Sequence, residues 1–309
     1  MPTLSGPEQL AEWQADALDP RPRAASGWPA LDGLLRKQSF GPGQLVFLGG
    51  RMHTRKTAVA LNLCVNMLRA GVPVGFVGLD EAPFMYVAKL ASVMTGTSHI
   101  VLDEEWALPT GFGSSADYLA LTDKFSLFTQ NRPSLDDLAA WLEMEAVRSE
   151  RPRVVFIDYL SLLVRGQYDG KDTARIPRLA EDLKMWANRH QLCVIALHQV
   201  GRTDDSAIRR YHGSTPLTPE QLMFGGEQAA DIILSTYRPA LDPEGNMSLE
   251  EAMSQGMDQA EWQAKSDRVA AFKHDTMLQL IKNRPGVELN PQGIRLRSVG
   301  ASQKMEVVP

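Results

Sequence analysis

The stretch QLVFLGGRMHTRKTAVALN, residues 44 to 62, decides the fold. An apolar run, QLVFL, ends in two glycines, a polar turn follows, and AVALNLCVNMLRAG then carries helical apolar spacing. A strand that turns directly into a helix presents backbone N–H groups and the positive end of the helix dipole to an anion. The phosphate-loop pattern asks for a glycine, four residues, then Gly-Lys-Ser/Thr. Gly50 opens it and Lys56-Thr57 close it, but Arg55 stands where the second glycine belongs. A lysine there reaches the β- and γ-phosphates, and the hydroxyl beside it serves Mg²⁺. A β-carbon at position 55 strains a turn that glycine permits, while a guanidinium could add positive charge near the phosphates. Alone, the stretch is either a nucleotide site or an ordinary helix start.

Outward from this point, strands and helices alternate. VPVGFVGL (72–79), FSLFT (125–129), RVVFID (153–158), LCVIAL (192–197) and DIILST (231–236) read as strands. PFMYVAKLASVM (83–94) and SLDDLAAWLEMEAV (134–147) read as helices, with Ser134 as N-cap and Asp137 three residues on, a variant of the capping box. Such alternation predicts an α/β fold with a mostly parallel sheet covered on both faces. TMLQLIKN and GIRLRS flank RPGVELNPQ and predict a C-terminal antiparallel hairpin. Residues 240–270 are polar and mostly acidic, a surface excursion between two strands, partly helical and of a composition that favours mobility. Residues 7–18 can form a short amphipathic helix, followed by a DPRPR linker. The organisation expected is a linker helix and linker over 1–26 and one α/β domain over 27–309, with the surface insertion near 240–270.

Composition narrows the classes. Of 309 residues 44% are hydrophobic, enough for a sizeable core, and no apolar run reaches the roughly 18 residues that span a membrane. The N-terminus lacks a signal-peptide core, and Cys64 and Cys193 fall in predicted core elements, as reduced thiols do. The expectation is a soluble, cytoplasmic protein. A net charge of -5 gives no overall basic footprint for nucleic acid, so DNA contact would have to be concentrated in local loops.

Ligands of open α/β sheets collect at the carboxyl ends of the strands, and several polar residues fall there. Asp158 ends RVVFID, where a carboxylate supports a metal ion or simply caps a helix. Asp80 and Glu81 end VPVGFVGL, where an acid can deprotonate a water. Gln199 follows LCVIAL, where it can sense a phosphate. Each is weak singly.

In order and spacing, however, these segments resemble the RecA-like motor domain of DnaB-type replicative helicases, from about Gly27 to Arg297. TRKTAVALN is similar to that family's GKT-x-x-ALN, VVFIDYLSLL to its Walker B strand, and ALHQVGR to its ALSQLNR. LTPEQLMFGGEQAADIILSTYRP matches its later motif at Glu227, Gln228, Asp231 and Arg238, and KNRPG its K-x-R-x-G. The resemblance implies ATP and Mg²⁺ as ligands, with Gly50, Arg55, Lys56 and Thr57 in the phosphate loop and Thr57 and Asp158 holding the metal. It implies Asp80, or Glu81 beside it, as base, where the family has glutamate, and Gln199 as γ-phosphate sensor. Lys282 and Arg284 would act on a neighbouring subunit's nucleotide, which implies a homo-oligomer, most often a hexameric ring. Single-stranded or forked DNA would be held by two loops, one with Arg165, Lys171, Arg175 and Arg178, the other with Arg202, Arg209 and Arg210 beside Tyr211. The family's N-terminal collar domain has no counterpart in the sequence, an expectation that points to a divergent relative.

The function expected is therefore an ATP-dependent helicase or translocase of DNA replication. Arg55 keeps open a RecA-like DNA-binding accessory protein with weak or no turnover, serving recombination or helicase loading. A third reading has Asp80, Glu81 and Asp158 hold Mg²⁺ alone and process branched DNA.

Overall fold

A computed structural model describes residues 6–7, 10–11, 14, 23–105, 122–163, 172–199, 213–218, 226–286 and 288–308. Its centre is one nine-stranded sheet in the order β3-β2-β4-β5-β1-β6-β7-β8-β9. The first six in that order, β3 (Phe125–Phe128), β2 (Val74–Gly78), β4 (Val154–Asp158), β5 (Cys193–Gln199), β1 (Leu45–Gly50) and β6 (Ile232–Tyr237), run parallel. The last three, β7 (Asp275–Asn283), β8 (Asn290–Ser298) and β9 (Met305–Val307), are antiparallel to their neighbours. The α/β class and the C-terminal hairpin are as expected, and β9 is an addition.

The central strands are apolar because both faces are covered. Every residue of β1, β2, β4 and β6 is buried. Alternate residues of β1 serve different faces. Val46 and Leu48 pack with Leu61 and Val65 of α2 (Lys56–Arg69) and Leu90 of α3 (Pro83–Thr95). Leu45 and Phe47 pack with Leu138 and Leu142 of α5 (Leu135–Arg148) and Leu179 and Leu183 of α6 (Asp172–His190). Two further short helices are α1 (Pro29–Asp32), whose Leu31 joins the first of these clusters, and α4 (His99–Glu105). The capping box expected at Ser134 is present, with the hydroxyl accepting from the Asp137 N–H and the Asp137 side chain accepting from the Ser134 N–H. Cys64 and Cys193 are both free and buried. Desolvation pushes both thiols well above the usual range.

The excursion between β6 and β7 folds as three helices, α7 (Pro243–Asn246), α8 (Leu249–Ser254) and α9 (Gln259–Ala271). Trp262 Nε1 of α9 donates to the Met247 carbonyl at 3.0 Å, and Lys265 pairs with Glu244 and with Glu261. The acidic sequence is thus a helical unit with internal ion pairs. The expected N-terminal helix lies largely outside the described residues, although residues 6–7, 10–11 and 14 are helical. Among the described residues no helix is long and apolar enough to cross a membrane.

Candidate nucleotide-binding site

Strand register brings the predicted residues to one edge of the sheet. Gly50 of β1 lies beside Gln199 of β5 on one side and Thr236 of β6 on the other, and Gly78 of β2 lies beside Asp158 of β4. Each strand therefore ends at the same carboxyl edge, with the loop 50–56 between them and α2 leading away.

The loop is wired internally. Thr54 Oγ1 donates to the Arg51 carbonyl at 2.8 Å and accepts from Thr236 Oγ1 at 2.9 Å. A β-carbon on Gly50 would lie 2.5 Å from Thr236 Oγ1 and 2.6 Å from Thr54 Oγ1, so the close approach of β6 requires glycine there. Lys56 Nζ donates to the Arg51 carbonyl at 2.8 Å. Burial pulls its ammonium down to about 8, against the opposing pull of Asp158 and Asp80. Thr57 Oγ1 donates to Asp158 Oδ2 at 2.9 Å. Asp158 is buried, and desolvation lifts its carboxyl to about 7, with the Thr57 hydrogen bond opposing and the nearby Asp80 and Glu81 adding to the rise. These side chains fit a magnesium nucleotide: a hydroxyl and a carboxylate side by side, and a half-buried lysine within the field of the acids Asp158 and Asp80.

The two acids after β2 are separated by their partners. Tyr86 of α3 fills the space left by Gly78, where a β-carbon would meet its ring at 2.5 Å. Its hydroxyl accepts from the N–H groups of Asp80 and Glu81, each at 3.2 Å, which fixes the backbone at that strand end. The Glu81 carboxylate takes both of its oxygens to Lys89 Nζ, at 2.5 and 2.6 Å. Asp80 is exposed at the edge, its carboxyl raised by partial burial and by Glu81, with Lys89 and Lys56 opposing. Tyr86 and Lys89 are the residues that sequence reasoning missed, because nothing in PFMYVAKL marks them apart from a helical face.

Arg55 takes the left-handed conformation that favours glycine, φ 65° and ψ 33°. Its guanidinium points to the antiparallel strands: Nη1 donates to the His274 carbonyl at 3.0 Å and to Ser298 Oγ at 2.5 Å. Arg238, just past β6, donates to the carbonyls of His53 and Lys273, both at 3.3 Å. Burial lowers its guanidinium to about 10, helped by the neighbouring charge of Arg55.

Lys282 and Arg284 are elsewhere. Lys282 pairs with Ile233 and Asn283 with Ile232, at the end of β6 away from the loop. Lys282 Nζ donates to the Glu227 carbonyl, and Arg284 Nη2 to the Gln228 carbonyl at 2.6 Å. Lys282 sits level with Phe47, three residues or roughly 10 Å along the strand direction from Gly50. Of the expected DNA contacts, Arg165, Lys171, Arg202, Arg209 and Arg210, with Tyr211, lie outside the described residues. Arg175 and Arg178 belong to helix α6 and not to a loop. Arg178 is exposed, whereas Arg175 is buried and donates to the Ser161 carbonyl at 3.2 Å.

A phosphate loop at the carboxyl edge of a parallel sheet, with the acid of another strand against its threonine, defines the class as a RecA-like P-loop core. The model of the DnaB-like helicase C-terminal domain matches residues 24–288, and the chain belongs to that family. It is 25% identical over 229 residues to the replicative DNA helicase DnaB of Treponema pallidum (strain Nichols), covering 73% of this chain and 50% of that protein. To the DnaB replicative helicase of Pasteurella multocida (strain Pm70) it is 29% identical over 232 residues, 69% of this chain and 46% of that protein. The chain thus spans about half the length of the curated relatives it matches. A solved DnaB-like replicative helicase, described with its interactions with primase, superposes with a TM-score of 0.68 at 19% identity, over 98% of this chain and 68% of that one. A solved ATPase domain superposes with a TM-score of 0.70 at 19% identity over all of both chains.

Proposed function

We propose that the chain is the ATP-driven motor of a DnaB-like helicase, acting on single-stranded or forked DNA during replication as a homo-oligomeric, hexameric ring. The observation that carries this reading is the convergence of Lys56, Thr57, Asp158 and Asp80 at one sheet edge. Gly50 and the loop with Arg55 would shape the phosphate cradle, Lys56 would bind the β- and γ-phosphates, and Thr57 and Asp158 would hold Mg²⁺. Bound with the nucleotide, the metal would neutralise charge on the phosphate oxygens. Asp80 would take the proton of the attacking water as its oxygen bonds to the γ-phosphorus and the bond to the β-phosphate oxygen breaks, leaving ADP and phosphate. Glu81, paired with Lys89, would offset that lysine's charge at Asp80. Gln199, level with Gly50, would sense the γ-phosphate. Lys282 and Arg284, remote from their own loop, would stabilise the phosphoryl group of a neighbour's nucleotide.

Steady-state ATPase with and without single-stranded DNA, beside Lys56→Ala, tests the reading. DNA-stimulated turnover lost in the variant is the expected result. Turnover no higher than the variant's would favour the accessory protein, for which the left-handed Arg55 is the supporting observation. Among the described residues no three His, Cys, Asp or Glu side chains form a metal-holding group.

A further inference from the structure

Two arginines grip the phosphate loop from its antiparallel side. Arg55 reaches out of the loop to the His274 carbonyl and Ser298 hydroxyl, and Arg238 reaches from the end of β6 to the carbonyls of His53 and Lys273. Both connections end at residues 273–274, where the helical excursion rejoins the sheet. The His274 carbonyl also accepts from the Ser298 N–H at 3.0 Å, so Arg55 closes the end of the β7–β8 ladder. That end is rigid in its own right. Asp275 is fully buried and binds Arg295 and Arg297 across the ladder.

A β-carbon is disfavoured in the left-handed region, and such a residue persists where its surroundings over-determine it. Here the surroundings are the three carbonyls and the hydroxyl that hold the guanidinium and that of Arg238. We propose that Arg55 is a positioning residue which, with Arg238, latches the phosphate loop to residues 273–274, so that the seating of the 239–272 excursion is transmitted to the nucleotide site. The latch replaces by side-chain anchorage what a glycine at position 55 supplies by conformational freedom. It rests on the nucleotide reading of the loop only for its consequence, since the anchorage itself belongs to the unliganded protein.

The test is hydrogen exchange of the amides of residues 49–57 without nucleotide, together with the affinity for a fluorescent ATP analogue with Mg²⁺. Arg55→Ala should speed exchange about tenfold and Ser298→Ala less, as expected for losing all or part of a charge-assisted anchor. The double variant should be no faster than Arg55→Ala, because both changes remove one interaction. Arg55→Gly should exchange as fast as Arg55→Ala yet bind the analogue more tightly than it, the strain having gone. Unchanged exchange in Arg55→Ala, or additive effects of the two single changes, would overturn the latch. Equal loss of affinity in Arg55→Gly and Arg55→Ala would overturn it too, by making Arg55 a direct ligand of the nucleotide. If the unmodified protein binds no analogue, the nucleotide reading fails, and the exchange measurements still decide the latch.

Discussion

At the scale of single residues, the question is what two neighbouring carboxylates do when, among the described residues, only one is paired. Glu81 is bound through both oxygens to Lys89, and the two side chains are only 31% and 15% exposed. Asp80, one residue earlier, is at the sheet edge within the field of Lys56. Asp80→Asn is expected to lower kcat by about a hundredfold or more, the range of a lost general base, with little change in KM. Glu81→Gln should cost much less and act mainly by freeing Lys89. A steady-state comparison of the two variants checks the assignment, and a larger loss in Glu81→Gln would reverse it. The meeting of Lys56, Thr57 and Asp158 at one edge was legible in the sequence because it depends on local order: strand, turn, helix, and a strand-end acid. The direction of Arg55 was not. Its partners lie 219 and 243 residues away, and no local pattern carries such a distance.

At the scale of elements, the antiparallel pair β7–β8 is locked by a charge cluster. Asp275 on β7 lies opposite Arg297 on β8, and accepts from Arg297 Nε at 2.8 Å and from Arg295 Nε at 2.6 Å. Burial alone would raise its carboxyl, but the two arginines together hold it below the usual range. A depressed carboxyl stabilises the fold above its unfolded pKa of about 3.9, and that stability is lost as pH falls through the lower folded value. Asp275→Asn should therefore lower stability near neutrality by on the order of 2 kcal/mol. The difference from the unmodified protein should shrink as pH falls below about 4, by urea unfolding at several pH values. The hairpin itself was legible from its two apolar runs, as was the start of α5 from Ser134 and Asp137. Helix α6 was not, because Pro177 lies inside it and proline reads as a helix breaker. The sequence of the excursion predicts polar, partly helical surface, and only its folded form shows that Lys265, Glu244 and Glu261 satisfy one another.

At the scale of the whole molecule, one sheet presents two different ends. The loop and its acids occupy the carboxyl end of the parallel strands, and Lys282 and Arg284 sit toward the opposite end of β6. If the cations serve a neighbour's nucleotide, contact between copies is head-to-tail, which builds rings or filaments in place of two-fold dimers. Lys56→Ala and Arg284→Ala should each be nearly inactive alone. Mixed and allowed to exchange subunits, they should recover turnover, since an intact loop then meets an intact cation pair at some interfaces. No recovery in the mixture would place the two defects in one chain's own site.

The burial of Cys64 and Cys193 has a practical corollary. Both thiols are shielded from solvent and held in their protonated form, and the sequence contains no other. A maleimide dye therefore finds no native target on the folded surface. A cysteine introduced on the exposed side of α9 could be labelled alone, leaving the wild-type thiols in place, and its fluorescence would follow the excursion while nucleotide is added.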